Sequence, residues 1–227
     1  MALVVVPALA ILAAFVPAFI WLWLFVREDR HPEPNRVILR AFIFGAFAAA
    51  PALGIQLAIG RGGFVALGAL GVAFLAAIEE LAKFGGAFVA VRRDAAFDEP
   101  VDAMVYAIAA ALGFATVENI LAVLTGAGGG SVFSLSLAAE GLAFRSIGAT
   151  LLHTLAGGLI GYGWARGIRR GASVGGIAFG IMFATVAHAV FNLLLARFQD
   201  TNTLVPTLFL VGIAFFVFRD FDLIQQT

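Results

Sequence analysis

The stretch AAIEELAKFGG (Ala76–Gly86) sets two adjacent glutamates and a lysine inside a run, about residues 64–91, that is otherwise apolar. A run of that length crosses a hydrocarbon core as a helix, which takes about 20 residues at about 1.5 Å each. Charge is most expensive there, about 3 kcal/mol per centrally placed group on insertion scales. The segment therefore reads as a membrane helix that carries ionisable groups for a purpose. Glu79 and Lys83 are spaced i, i+4 and Glu80 and Lys83 i, i+3, so the lysine can neutralise one carboxylate and leaves the other over. The bland alternative is an ion pair that fixes helix register, with Lys83 snorkelling toward the cytoplasm.

Outward from this helix, apolar runs recur at about residues 2–26, 36–59, 100–124, 141–165, 172–196 and 203–218. The expected fold is all-α: one polytopic membrane domain, residues 1–227, of about seven transmembrane helices. The chain is 62% hydrophobic and only 12% charged, with a mean hydropathy of +1.03, outside the range of soluble domains. Fourteen basic and fourteen acidic residues cancel, so charge gives no reason to expect nucleic acid. Absence of cysteine excludes disulfides, thiol catalysis and thiolate metal sites.

The first run lacks a basic leader region and reads as a retained anchor. Arginines at 27, 30, 36, 92, 93, 166, 169, 170 and 219 fall on one side of the spans, and Arg61 and Arg197 on the other. That bias predicts an outer N-terminus and a cytoplasmic C-terminus. The loop Thr125–Glu140, rich in Gly and Ser, is expected to be mobile on the outer side and to gate access. Stretches such as AIAAALGFA (Ala107–Ala115) supply small faces for close helix packing. Inspection finds no internal repeat of the transporter kind.

Four runs carry polar groups. Besides Glu79, Glu80 and Lys83, the fourth holds Glu118 and Asn119 in GFATVENI, the fifth holds His153 with Arg145 near its outer end, and the sixth holds His188 and Asn192 one turn apart. Alone, His153 reads as a hydrogen-bonding strut and Arg145 as a snorkelling cation. With helices running alternately in and out, however, Glu79, Glu80, Glu118, His153, His188 and Asn192 fall at one depth, between the bilayer middle and its outer third. That coincidence argues for a single polar cavity. Carboxylates, imidazoles and an amide suit hydrolysis, with a carboxylate activating water and another group protonating the leaving amine. The same groups, Glu79, Glu118, His153 and His188 foremost, are candidate ligands for a divalent metal such as zinc. They also suit a proton or cation path, and spacing does not separate the three.

The order Glu79-Glu80-x-x-Lys83, Phe114-x-x-x-Glu118-Asn119, His153 and His188-x-x-x-Asn192 resembles the PrsW family of intramembrane proteases, itself distantly similar to CAAX prenyl proteases and bacteriocin-processing proteins. REDRHPEPNRVILRAFIFGA after the first run and DEPVDAMVYAIAAALGFATVEN before Glu118 carry the same resemblance, from Arg27 to Asn192. It implies cleavage of a membrane-anchored protein near the outer surface of a bacterial-type inner membrane. The family role it brings is first-site cleavage of a transmembrane anti-sigma factor. By motif, Glu79 and Glu80 include the water-activating base, Glu118 and His153 assist or hold the water or a metal, and His188 and Asn192 stabilise the oxyanion. Lys83, Asn119 and Arg145 support them. Relative to the CAAX-protease pattern, Lys83 stands one position early in place of an arginine, and Glu118 stands in place of a histidine. Both departures favour glutamate chemistry with no required metal. The competing readings are a membrane scaffold that binds a partner helix through its small faces, and a proton- or cation-coupled transporter. No oligomeric state is written in the sequence.

Overall fold

The computed structural model describes residues 2–59, 67–126, 135–198 and 202–226, and among them there is no strand. The helices are α1 (Ala2–Ala13), α2 (Val16–Val26), α3 (Asn35–Ile59), α4 (Ala69–Val91), α5 (Asp102–Gly126), α6 (Leu135–Arg145), α7 (Leu151–Arg169), α8 (Ser173–Phe198) and α9 (Leu204–Gln225). A π-helical turn, Ser146–Thr150, joins α6 to α7. The chain is an all-α polytopic bundle. Five segments, 8–26, 35–59, 102–125, 173–198 and 204–225, are long and apolar enough to cross a membrane by length and composition. The charged α4 and the His- and Arg-bearing α7 stand outside that set.

Helix α5 is the central pillar. Its residues from 101 to 116 are all buried, which suits a segment apolar on every side and rich in alanine. It packs against α2, α3, α4 and α7, while α8 closes the bundle against α4 and α7, and α9 leans on α7. Backbones meet where side chains vanish: a Cβ on Gly45 of α3 would stand 1.9 Å from the Ala110 carbonyl oxygen, and one on Gly113 the same distance from that of Phe42. Glycine at both positions is what brings α3 and α5 together, the small-face packing expected of membrane helices.

The turn from α7 into α8 is a Schellman motif. Gly171 takes a left-handed φ of +63°, the Ala172 amide donates to the Gly167 carbonyl at 2.9 Å and the Gly171 amide to that of Ile168 at 3.2 Å. Large apolar side chains such as Phe47, Leu70 and Phe215 point outward, as lipid-facing positions do.

Several boundaries differ from the sequence expectation. The first run is two helices broken at Ala14 and Phe15, with Pro17 in the opening turn of α2, where its missing amide donor costs nothing. The last run extends to Gln225, because an amphipathic end with Asp220 and Asp222 continues the helix past the apolar stretch. Part of the expected outer loop, residues 135–140, is helical, and 127–134 lie outside the described residues.

Candidate active site

Helix α4 buries Ala76, Glu80, Lys83, Ala87 and Ala90, spaced alternately four and three apart, as the core-facing stripe of a helix is. Glu80 and Lys83 therefore sit in core positions, and Glu79, one residue back, lies at the stripe's edge. The ion pair is i, i+3: Lys83 Nζ donates to Glu80 Oε1 at 2.5 Å, with both side chains essentially inaccessible. Lys83 does not snorkel. Its second contact is His153 Nδ1 of α7, at 2.8 Å.

The remaining carboxylate of the pair, Glu79, has its own partner. Gln56 Nε2, from α3, donates to Glu79 Oε1 at 2.9 Å. Gln56 escaped the sequence reading; a single amide in an apolar run has no periodic signal, and only its burial at the far end of α3 marks it.

Two imidazoles close the cluster. His188 Nδ1 lies 2.6 Å from Glu80 Oε1, and its Nε2 3.6 Å from Glu79 Oε2. His153 Nε2 lies 2.8 Å from Glu118 Oε2, and the two rings stand edge to face with centroids 5.2 Å apart. Because the Lys83 ammonium can only donate, His153 Nδ1 accepts, and its proton belongs on Nε2, facing Glu118.

Arg145, at the end of α6, is drawn in rather than left to snorkel. Its Nη2 lies 3.3 Å from Glu118 Oε2 and its Nε donates to Asn119 Oδ1 at 2.6 Å. Asn119 in turn donates to Thr150 Oγ1 at 3.1 Å, at the close of the π turn, whose Ser146 carbonyl accepts the indole N–H of Trp21 at 2.8 Å. Thr150, too, was absent from the candidate residues. Phe114 packs 5.8 Å from His153, centroid to centroid.

The structure thus joins Glu79, Glu80, Lys83, Glu118, Asn119, Arg145, His153 and His188 into one network. Asn192 stays outside: it is half-buried and, among the described residues, makes no hydrogen bond to the network. One helical turn carries it about 5 Å along α8 from His188, so sharing a face did not bring it to the site. A pocket of about 260 Å³ opens on the network, lined by Gln56, Glu79, Phe114, Glu118 and Arg145. Glu79 and Glu118 face this space. Glu80 lies behind it, with Oε2 buried and unpartnered.

The residues also fit a divalent ion. One donor atom each from Glu79, His153 and His188 lie within 4.8 Å of one another. His188 turns its other nitrogen to the Glu80 carboxylate, the outer partner that metal-binding histidines take. Three carboxylates, Glu79, Glu80 and Glu118, face two cations, Lys83 and Arg145, so with neutral imidazoles one negative charge is left over. A buried excess of that kind favours a proton or a cation.

Comparison with known proteins identifies the family. The family model described as "PrsW family intramembrane metalloprotease" matches residues 33–219. The chain is 30% identical to Protease PrsW of Bacillus subtilis (strain 168) over 193 residues, 83% of each chain. It is 27% identical to Protease PrsW of Oceanobacillus iheyensis over 202 residues, 88% of each. With Protease PrsW of Geobacillus kaustophilus (strain HTA426) it is 36% identical over 122 residues, 53% of this chain and half the length of that relative. No solved structure matches the chain. The polar network lies within the matched residues, and the chain belongs to the PrsW family of intramembrane proteases.

Proposed function

We propose that the chain hydrolyses a peptide bond of a membrane-anchored protein near the outer membrane surface, with water activated by Glu79. The observation that carries this reading is the pocket: of the adjacent glutamates only Glu79 lines it, while Glu80 is enclosed by Lys83 and His188. Glu79 accepts a proton from water, and the oxygen attacks the carbonyl carbon of the scissile bond. Glu79 then gives that proton to the leaving amine nitrogen as the C–N bond breaks, while Glu118, held by His153, faces the same pocket. Arg145, on the pocket wall, stabilises the oxyanion, the role that the family resemblance implied for His188 and Asn192. Gln56 fixes one oxygen of Glu79 and leaves the other for water.

A divalent ion at this site would be held by Glu79, His153 and His188, and would supply a lowered pKa for bound water. Cleavage that survives exhaustive chelation leaves activation with Glu79 alone. Cleavage lost on chelation and restored by zinc assigns a part of it to the ion.

The family resemblance supports a single-pass anti-sigma factor as the substrate. The test is mass spectrometry of membrane-protein fragments from cells expressing wild type or Glu79→Gln at matched levels. Fragments with new termini near the outer surface, present only with wild type, support the reading and name the substrate. Identical fragment sets, with the single-pass proteins detected in both, overturn it.

A further inference from the structure

At the opposite end of α5 from Glu118, about 24 Å away along the helix at 1.5 Å per residue, stands a second group of carboxylates. Asp29 and Glu33 come from the connection between α2 and α3, and Asp102 opens α5. One oxygen from each lies within 4.8 Å of the others.

These three carboxylates are satisfied unequally. Asp102 Oδ2 accepts the amides of Asp98 and Glu99, at 3.0 and 2.7 Å. Glu33 accepts the hydroxyl of Tyr106, one turn further along α5. Asp29 is 5% exposed, and its Oδ1 accepts the His31 amide at 3.0 Å. Its Oδ2 is buried without a partner. Among the described residues, no lysine or arginine pairs with any of the three; the nearby His31 is taken by Glu99 at 3.0 Å. A shallow surface pocket of about 380 Å³, lined by His31, Glu33, Asp98 and Glu99, reaches the cluster and gives a small ion a way in.

Three carboxylates at ligand spacing, one with a buried oxygen that nothing satisfies, lack a positive charge. Oxygen donors alone select hard cations over zinc, which prefers nitrogen and sulfur alongside. We propose that Asp29, Glu33 and Asp102 bind a hard divalent cation, calcium or magnesium, that ties the α2–α3 connection to the start of α5. The site is separate from the Glu79–His153–His188 set in position and in donor chemistry. Glu28 and Arg30 of the same connection are also held by Gln225 at the end of α9, at 2.8 and 3.0 Å, so the ion would fasten one end of the bundle.

The first probe is terbium, a calcium substitute whose luminescence is sensitised by a nearby tyrosine. Excitation of the full-length protein in detergent gives saturable terbium emission that calcium displaces; the Asp29→Asn variant loses it, and Glu79→Gln keeps it. The second is unfolding of wild type after chelation, on which added calcium or magnesium raises the midpoint by roughly 5 °C. Terbium emission equal in wild type and Asp29→Asn, or lost in Glu79→Gln, overturns the proposal. So does a wild-type midpoint that neither ion moves, a result that does not depend on how any variant folds.

Discussion

The two polar clusters of this bundle are built on opposite terms. Around Glu80 the protein supplies most of the counter-charge: Lys83 and His188 share one oxygen, and Gln56, His153 and Arg145 serve the other carboxylates, with one negative charge left over. Around Asp29 the carboxylates meet backbone amides, a phenol and one another, and burial raises the Asp29 and Glu33 carboxyls above their ordinary values. The first cluster sits among membrane helices, where a charge without a partner is expensive; the second lies at the connection between α2 and α3. The contrast is between a cluster that brings its own cations and one that, among the described residues, brings none.

The largest effect should come from the one carboxylate of the α4 pair that meets the pocket. Glu79→Gln is expected to lower cleavage about 10²–10⁴-fold while leaving the unfolding midpoint near that of wild type, measured by fragment yield and by thermal unfolding in detergent. Lys83→Met should do the reverse first. It strands Glu80 as a buried charge, a loss of about 3–5 kcal/mol, and the Lys83→Met, Glu80→Gln double variant should recover part of it. Equal stability of the two would show that loss of Lys83 does not strand Glu80 as a buried charge.

Gln56→Leu sharpens the comparison within the site. Loss of its bond to the Glu79 carboxylate should slow cleavage about tenfold, without the stability loss of Lys83→Met. The smallest effect belongs to the exposed connection after α4. The Ala96 amide and the Arg40 guanidinium, the latter at 2.6 Å, hold the Asp94 carboxyl below its ordinary range. Its contribution to stability is therefore present above the unfolded carboxylate value, about 4, and disappears as pH falls through the lowered folded value. Wild type and Asp94→Asn should differ slightly at pH 7 in unfolding midpoint and converge in acid.

Much of this was legible in the sequence. Apolar runs of membrane length located the helices within a few residues, and polar groups at one depth on four runs identified a common cavity. Periodicity works there because lipid leaves no other place for those groups. It fails where the deciding contact lies between helices with no shared pattern, as for Gln56 and Glu79, or where i, i+4 spacing matches faces but not heights, as for His188 and Asn192. The break at Ala14–Phe15 lay in a run apolar throughout, so hydropathy passed over it. The Asp29 group was hidden for another reason: charged residues in a connection read as ordinary solvated surface, and only folding shows that one is enclosed.

The π turn before α7 sets how the chain tolerates change in length. Arg145 and His153 both reach Glu118 Oε2, yet eight α-helical residues would leave them about 80° apart around the helix at about 100° per residue. The wider turn of Ser146–Thr150 advances less per residue and absorbs that angle. Deleting one residue from it would leave seven at ordinary helical pitch, about 700° or nearly two full turns, so Arg145 would still face the carboxylate it shares with His153, whereas an added residue would turn it away by about 100°. In this segment the count of residues matters more than their identity, and gain of one, not its loss or replacement, is the change the site can least survive.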